Sequence, residues 1–517
     1  MPALIKNLSK RQLYALTLSV FIGSVLVRKL VQAIIVPKHL RHIPKVNTLQ
    51  WFWSVIIGES HDVRTRRLML PLMNKHGFCL KYAMGTWALT VADPVYLQML
   101  LKDIETFPKL QVTMDPDLIL TNKEPNMGNA SVAVWKRQRS VANPVFHRAM
   151  PVEKFAQVVL RMFESIDKHD PDGVIDAVSY MKRYTLDCLG LGIFDFDMQT
   201  VSDPNSCYAI QYKEAFSIVR DPFVYLFPAY TRLPSRLIPY RNRARKANEN
   251  LRQLLQDIIN KKKESPSTKS NPDLLSLMIM ATNHDKTGKV YLTDGELVSN
   301  IAVFFVAGKE TCIVQNGHET TASATSSFLY YLATHPNIQE KARKEVLSVL
   351  GDDPEDIIPT DKELKQMDYL NNCIKETMRV NPPTSGNLPR VASKDTQIGN
   401  VFVPKGTMIN LELYSAHHMD KYWDLPEVFN PDRFNTDNPS YREKAIWMPF
   451  GYGPRTCIGL NFSMYEQKVL MAMFLKKYTW KLVPNSEHEH GLKNATGGGI
   501  GLLGPESLRI TLTKRYP

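Results

Sequence analysis

Phe450-Gly451-Tyr452-Gly453-Pro454-Arg455-Thr456-Cys457-Ile458-Gly459 is a turn-rich stretch that presents one cysteine and runs straight into a predicted helix, Leu460 to Lys476. Its glycines and proline permit positive φ and a close approach of backbone to something bulky. Apolar Phe462, Val469, Leu470, Met473 and Phe474 recur behind it near helical spacing. A thiol beside a helix N-terminus, with backbone N–H groups aimed at it, is expected to have a lowered pKa and to serve as an anion. Such a sulfur among glycines suits ligation of a large planar cofactor. Haem iron fits, because a thiolate ligand pushes electron density toward O–O cleavage. The competing reading of the same residues is a buried structural cysteine in a glycine turn.

Phe450, Gly453, Arg455, Cys457 and Gly459 stand in the order Phe-x-x-Gly-x-Arg-x-Cys-x-Gly, which resembles the haem-binding loop of the cytochrome P-450 family. The resemblance implies a mainly α fold with a small β portion, one large domain behind an N-terminal membrane anchor. It implies haem (iron protoporphyrin IX) as cofactor, Cys457 as the metal ligand, and Phe450, Arg455 and Gly459 in contact with the haem.

Composition agrees with a large domain. The chain has 517 residues, 44% of them hydrophobic and 22% charged, enough to bury a sizeable core and too apolar for disorder. No Ser/Gly-rich or Pro-rich linker cuts it in half. Six cysteines are scattered without a CxxC pair, which argues for a reducing compartment and against a disulfide framework or zinc site. The formal charge of +13 suits an anionic membrane surface or an acidic protein partner. Nucleic acid is not expected, since the basic residues do not cluster with aromatics in a recognisable module.

Leu13 to Val27 is uncharged, and Leu30 to Val36 is apolar again except for Gln32. With Arg28 and Lys29 snorkelling, Leu13 to Val36 could cross a bilayer. Lys6, Lys10 and Arg11 precede it; Arg28, Lys29, Lys38, Arg41 and Lys45 follow, which places the bulk of the chain on the cytosolic side. The predicted division is an anchor over 1–36, a basic hinge over 37–50 and a catalytic domain over 51–517, at the endoplasmic reticulum membrane. Trp51-Phe52-Trp53 suits either lipid headgroups or core packing. Leu80 to Val91 predicts short strands turning at Gly85. Pro222 to Pro239 suits a lid that dips into the membrane, or plain core, and Lys261 to Asn271 reads as a polar loop.

Trp135 and Arg139 are four apart and share a helix face; the resemblance implies that they meet a haem propionate. Thr293 and Glu296 form a predicted capping box that opens a long apolar helix. That helix reaches a doubled motif, Ala307-Gly308-Lys309-Glu310-Thr311-Cys312 and Asn316-Gly317-His318-Glu319-Thr320-Thr321. The resemblance implies one Gly-x-Glu-Thr run in the distal helix. The copies are offset by nine residues (317 − 308), roughly 2.5 turns of α-helix, so they face opposite sides. Deleting 309–317 restores an uninterrupted pattern, so these residues read as an insertion, with Glu319 and Thr320 expected at the haem and Glu310 and Thr311 as the alternative. Oxygen chemistry there consumes protons, and a hydroxyl backed by an acid delivers them in a dry pocket.

Glu376 and Arg379 are three apart on one helix face. Alone they read as a surface ion pair. The resemblance implies a buried network completed by Arg433, holding the loop that presents the thiolate. Leu388 to Val391 leads into alternating stretches, Thr396 to Val403 and Met408 to Leu413, that predict a small sheet. The resemblance brings Arg390 to a propionate beside Arg139 and Arg455, with His147 a further candidate. Gly497 to Gly499 and Gly501 predict a flexible loop before a strand from Ser507 to Lys514.

The function implied is insertion of one atom of O2 into a lipophilic small molecule by a haem-thiolate monooxygenase. Electrons would come from a separate NADPH-dependent flavoprotein reductase docking near Lys136 and Arg137, since the chain carries no dinucleotide or flavin fingerprint. Two rivals remain at this stage. One is a haem-thiolate hydroperoxide isomerase or dehydratase; the other is a haem-binding membrane protein inactivated by the insertion.

Overall fold

Two aromatic and β-branched runs meeting at Met84-Gly85 set up the first sheet. The computed structural model describes residues 10–111, 124–206, 208, 210, 238–264, 272–283, 291–306, 317–435, 446–496 and 501–516. In it, β1 (Phe78–Ala83) and β2 (Thr86–Val91) pair antiparallel. Met84 and Gly85 take φ of 51° and 79°, the turn whose twist matches the flanking strands. Beyond β3 (Val174–Asp176) come β4 (Gly386–Val391), β5 (Thr396–Ile398), β6 (Val401–Val403) and β7 (Met408–Glu412). The last two are β8 (Tyr478–Leu482) and β9 (Arg509–Lys514). They form a four-stranded sheet β1-β2-β7-β4, a three-stranded sheet β3-β9-β8 and the pair β5-β6. The single small sheet expected over 396–413 is therefore split: β7 leaves the hairpin to lie parallel to β2, where it buries residues on both faces.

Helices are the commonest element among the described residues. Those used below are α1 (Lys10–Ile34), α2 (Thr48–Ile56), α3 (Val132–His147), α4 (Ala177–Leu189), α5 (Asp294–Val306), α6 (Gly317–Thr334), α7 (Asp368–Val380) and α8 (Leu460–Lys477). Between Phe462 and Leu475, α8 buries Val469, Leu470, Met471, Ala472, Met473 and Phe474. A run apolar all round, as 469–475 is, belongs inside a domain, and each large side chain in it contributes about 1.5–3 kcal/mol on burial. It lies in the largest hydrophobic cluster among the described residues; a smaller one lies against the four-stranded sheet.

Among the described residues no helix is long and apolar enough to cross a membrane. The C-terminal end of α1 is docked on the sheet. Trp87 Nε1 donates to the carbonyls of Gln32 and Ile35 at 2.9 and 3.1 Å, and Ala33, Val36, Leu40 and Ile43 are buried in the smaller core. The stretch 37–50 is thus packed against the body along part of its length. Asn47 caps α2 by accepting from Leu49 N and Gln50 N. Trp51 is 1% exposed and Trp53 63%, as their separation of about 200° around a helix requires. The aromatic trio divides between core and surface.

Lys261–Glu264, expected in a loop, instead completes a helix spanning Pro239–Glu264. Its basic last turn suits the negative end of the helix dipole, and Lys262 Nζ pairs with Asp273 at 2.9 Å and Asp195 at 3.4 Å. Most of the proposed lid (222–237), the rest of that loop (265–271) and Gly497–Gly499 lie outside the described residues. The capping box at α5 forms as predicted: Glu296 N donates to Thr293 Oγ1 and Thr293 N to Glu296 Oε2.

Candidate functional site

The cysteine loop is built by backbone hydrogen bonds that need its glycines. Cys457 N donates to Phe450 O at 2.9 Å, and Thr456 N to Gly453 O at 3.0 Å. Gly453 has φ of 73°, and a Cβ there would lie 2.8 Å from the carbonyl oxygen of Leu101, so neither conformation nor space admits a side chain. The accessible face of Cys457 opens onto a cavity bounded by α3, α6, α8 and β4.

The pKa of the thiol moves opposite to the direction expected from its place before a helix. Burial pushes its pKa up, against the Gly459 N–H and the nearby cations of Arg139 and Lys109. Protein packed around the open side of the sulfur weakens its hydration, and that loss outweighs one N–H and two cations. A metal ion bound to the sulfur would reverse the balance, since coordination deprotonates a thiol.

Trp135, Arg139, Arg390 and Arg455 line the same cavity, as does Lys109, which the sequence did not single out. The Arg455 guanidinium stacks 4.4 Å over the Trp135 ring, and its Nη2 donates to Ala130 O at 2.9 Å. Arg139 Nε donates to Asn143 Oδ1 and Lys109 Nζ to Gly128 O at 2.6 Å. Arg455 Nε and Nη1 and Arg390 Nε are buried with no partner. Burial brings Arg390 and Arg455 down to about 10. It takes Lys109 well below the usual lysine range, helped by Arg390, Arg455 and Arg139. Buried donors left unmade cost about 1–3 kcal/mol each. The one carboxyl group among the described lining residues, Glu466, does not neutralise them: burial raises its pKa well above the usual value. Four converging basic side chains, with unfilled donors on Arg390 and Arg455, fit the two carboxylates of a haem whose metal would meet Cys457. His147 is elsewhere, bonded through Nδ1 to Asn143 O near the end of α3, and is not part of this lining.

Across the cavity, α6 carries the second copy of the doubled motif. Thr321 Oγ1 lies 2.9 Å from Ser463 Oγ on α8, which fixes the start of α6 against the cysteine loop, and Thr320 lines the cavity beside it. Glu319 is half-exposed at the preceding position and is not in the lining. The first copy, Ala307–Cys312, lies outside the described residues. Phe450 and Gly459 both border the cavity. Arg137, expected on a docking face, is engaged by Glu296 at 2.6 and 2.9 Å; Lys136 is mostly exposed, 3.9 Å from Glu105.

The pair on α7 is fully buried. Arg379 Nε and Nη2 donate to Glu376 Oε2 and Oε1 at 2.7 and 2.8 Å, and Arg433 Nε donates to Oε1 at 3.1 Å. Arg379 Nη1 also donates to His417 O at 3.0 Å. His417 Nε2 accepts from Met448 N at 3.1 Å, and burial, reinforced by Arg379, lowers its pKa to about 3. Its unfolded pKa is about 6.5, so the stability that its neutral ring contributes is complete above that pH. It is lost as pH falls toward 3, because the unfolded chain takes the proton first. A loss of up to about 1.4 kcal/mol per pH unit is expected from this group. Thermal midpoints from pH 7 to 4 should fall less steeply in His417→Gln than in the wild type; parallel curves would exclude His417 as the group responsible.

Lys109 left no trace in the sequence because its partner is remote: its backbone bridges to Arg390, 281 positions on. Glu466 sits in a polar run, Glu466-Gln467-Lys468, and only the fold shows that its carboxyl faces the cavity.

A family model described as Cytochrome P450 matches residues 47–506. Human cytochrome P450 3A5 is 31% identical over 391 residues, covering 72% of this chain and 72% of its own. Rat cytochrome P450 4F6 is 32% identical over 357 residues, 66% of this chain and 64% of its own. The crystal structure of the cytochrome P450DA heme domain superimposes with a TM-score of 0.74, over 92% of this chain and 98% of that one. At 21% identity, that likeness is one of fold.

Proposed function

The chain belongs to the cytochrome P450 family, and on that premise we propose a haem-thiolate monooxygenase that inserts one atom of O2 into a lipophilic small molecule. A separate NADPH-dependent flavoprotein reductase supplies the electrons. The single observation that carries the reading is the Cys457 sulfur opening onto a cavity with Lys109, Arg139, Arg390 and Arg455 on its walls. When bound, the haem supplies oxygen activation, with the thiolate favouring O–O cleavage.

The chain's own residues have the following parts. Cys457 would hold the metal as its thiolate. Lys109, Arg139, Arg390 and Arg455 bind the two carboxylates through charge-assisted hydrogen bonds, and Trp135 keeps Arg455 planar against its ring. Met127, Phe146, Val303, Phe304 and Leu388 make an apolar wall that excludes water and receives a greasy substrate. The Thr320 hydroxyl, on the cavity wall, would donate a proton, and Glu319, one position before it in the chain, would renew that proton. The network of Glu376, Arg379 and Arg433 keeps the cysteine loop in place. The chain lies on the endoplasmic reticulum membrane through α1, whose Val20, Val27 and Val31 are exposed beside the basic run from Lys38 to Lys45.

The deciding experiment is the absorption spectrum of the purified, reduced, carbon-monoxide-bound protein, followed by turnover with and without NADPH and reductase. A thiolate-type spectrum and reductase-dependent oxygenation are expected. A spectrum without thiolate character, or turnover of a hydroperoxide without reductase, would overturn the reading. In Thr320→Ala, product per NADPH consumed should drop about 10²-fold, the lower end of what a positioned proton donor contributes, while NADPH consumption persists. Unchanged coupling would remove Thr320 from the relay.

A further inference from the structure

The distal helix of this chain is held in a way its family membership does not specify. α5 and α6 are described as two helices that touch each other, and α5 is held by further contacts as well. Those contacts lead to one short segment, 124–130. Asn300, fully buried, accepts from Met127 N at 2.9 Å through Oδ1 and donates to Glu296 O at 2.8 Å through Nδ2. Ser299 Oγ donates to Glu124 O at 2.9 Å and accepts from Asn126 Nδ2 at 3.3 Å. Asn126, also fully buried, closes the segment on itself: its Oδ1 accepts from Gly128 N, its carbonyl from Ala130 N at 2.8 Å, and its own N–H donates to Asn129 Oδ1 at 2.9 Å.

The same segment is what two of the cavity cations hold. Lys109 Nζ donates to Gly128 O and Arg455 Nη2 to Ala130 O. The two carbonyls that aim these cations therefore belong to a loop whose other side is bonded to α5. Val303, one turn beyond Asn300, lines the cavity and lies 3.9 Å from where a Cβ on Gly128 would stand. The segment is a rigid strap between the substrate wall and the cofactor's carboxylates.

We infer that Asn300 is a positioning residue for the haem, acting through segment 124–130 on Lys109 and Arg455. Without its side chain, the buried N–H of Met127 has no acceptor, an unmade bond that a protein relieves by moving. The strap then drifts from α5, and Gly128 O and Ala130 O no longer aim the two cations. This rests on the haem-thiolate reading, which the spectrum of the wild-type protein tests separately.

The test is a double-mutant cycle read by the rate at which haem leaves the ferric protein for an acceptor protein, with the reduction midpoint as second readout. Asn300→Leu and Lys109→Met should each speed haem loss by about tenfold, or 1.4 kcal/mol. If Asn300 acts through Lys109, the double variant should exceed either single by less than about threefold, not by the product of the two, because coupled sites are not additive. Asn300→Leu should also shift the midpoint while keeping the thiolate spectrum. Val346→Ala, a core truncation away from the cavity, should lower thermal stability without either change. Multiplicative effects, or haem loss that simply tracks thermal stability across all variants, would overturn the inference. Should Asn300→Leu not fold, Ser299→Ala removes one strap contact from the same helix; haem loss equal to wild type in that variant would also count against it. A wild-type protein lacking the thiolate spectrum would instead sink the functional reading.

Discussion

Cys457→Ser is expected to abolish the thiolate-type spectrum of the reduced, carbon-monoxide-bound protein and to leave monooxygenase turnover below about 1% of wild type, since the electron push comes from the sulfur. Haem binding itself should weaken without vanishing. Lys109, Arg139, Arg390 and Arg455 are untouched by the change, and the buried, unfilled donors of Arg390 and Arg455 still favour two carboxylates. The fold should also survive, because the loop is closed by backbone bonds from Cys457 N to Phe450 O and Thr456 N to Gly453 O, which serine retains. The expected protein is folded and partly haem-loaded, with a changed axial ligand. A Cys457→Ser protein with the wild-type spectrum would mean that another group ligates the metal, and the reading of the cavity would fail with it.

The sulfur itself shows where sequence reasoning stops short. Its neighbours in the chain suggested an anion, since three glycines and a helix start follow a recognisable order. Its neighbours in space decide otherwise: cavity walls raise the thiol's pKa, and those walls come from helices hundreds of residues away. Local signals proved dependable where the cause was local. Met84-Gly85 turned the hairpin, Thr293 and Glu296 capped α5, and four-residue spacing put Trp135 and Arg139 on one cavity. Residues whose role depends on a distant partner were hidden, Lys109 and Asn300 above all. Helix periodicity could divide Trp51 from Trp53 only once the core was known. Arg137, named beside an expected docking face, has both of its terminal nitrogens on Glu296, a partner remote in the chain that its neighbours do not disclose.

Glu376→Ala is the substitution expected to do most damage away from the cavity. Both guanidinium groups would remain, one fully buried and the other nearly so, with Arg379 0% and Arg433 12% exposed at the side chain, and their shared anion would be gone. Breaking such a buried pair from one side costs about 3–5 kcal/mol, against a total stability for a domain of about 5–15 kcal/mol. The loss has a defined route to the metal ligand. Arg379 holds the carbonyls of His417 and Pro426, and Arg433 those of Leu425 and Val428. His417 in turn accepts from Met448 N, and Met448 O receives Gly451 N at the head of the cysteine loop. A slackened Arg379 therefore frees the peptide that begins the turn around Cys457. Glu376→Ala should accumulate with little or no haem and a lowered thermal midpoint. Glu376→Gln, which keeps an acceptor but not the charge, should fall between it and the wild type. A Glu376→Ala protein purified with a full complement of haem would show that the loop stands without this network.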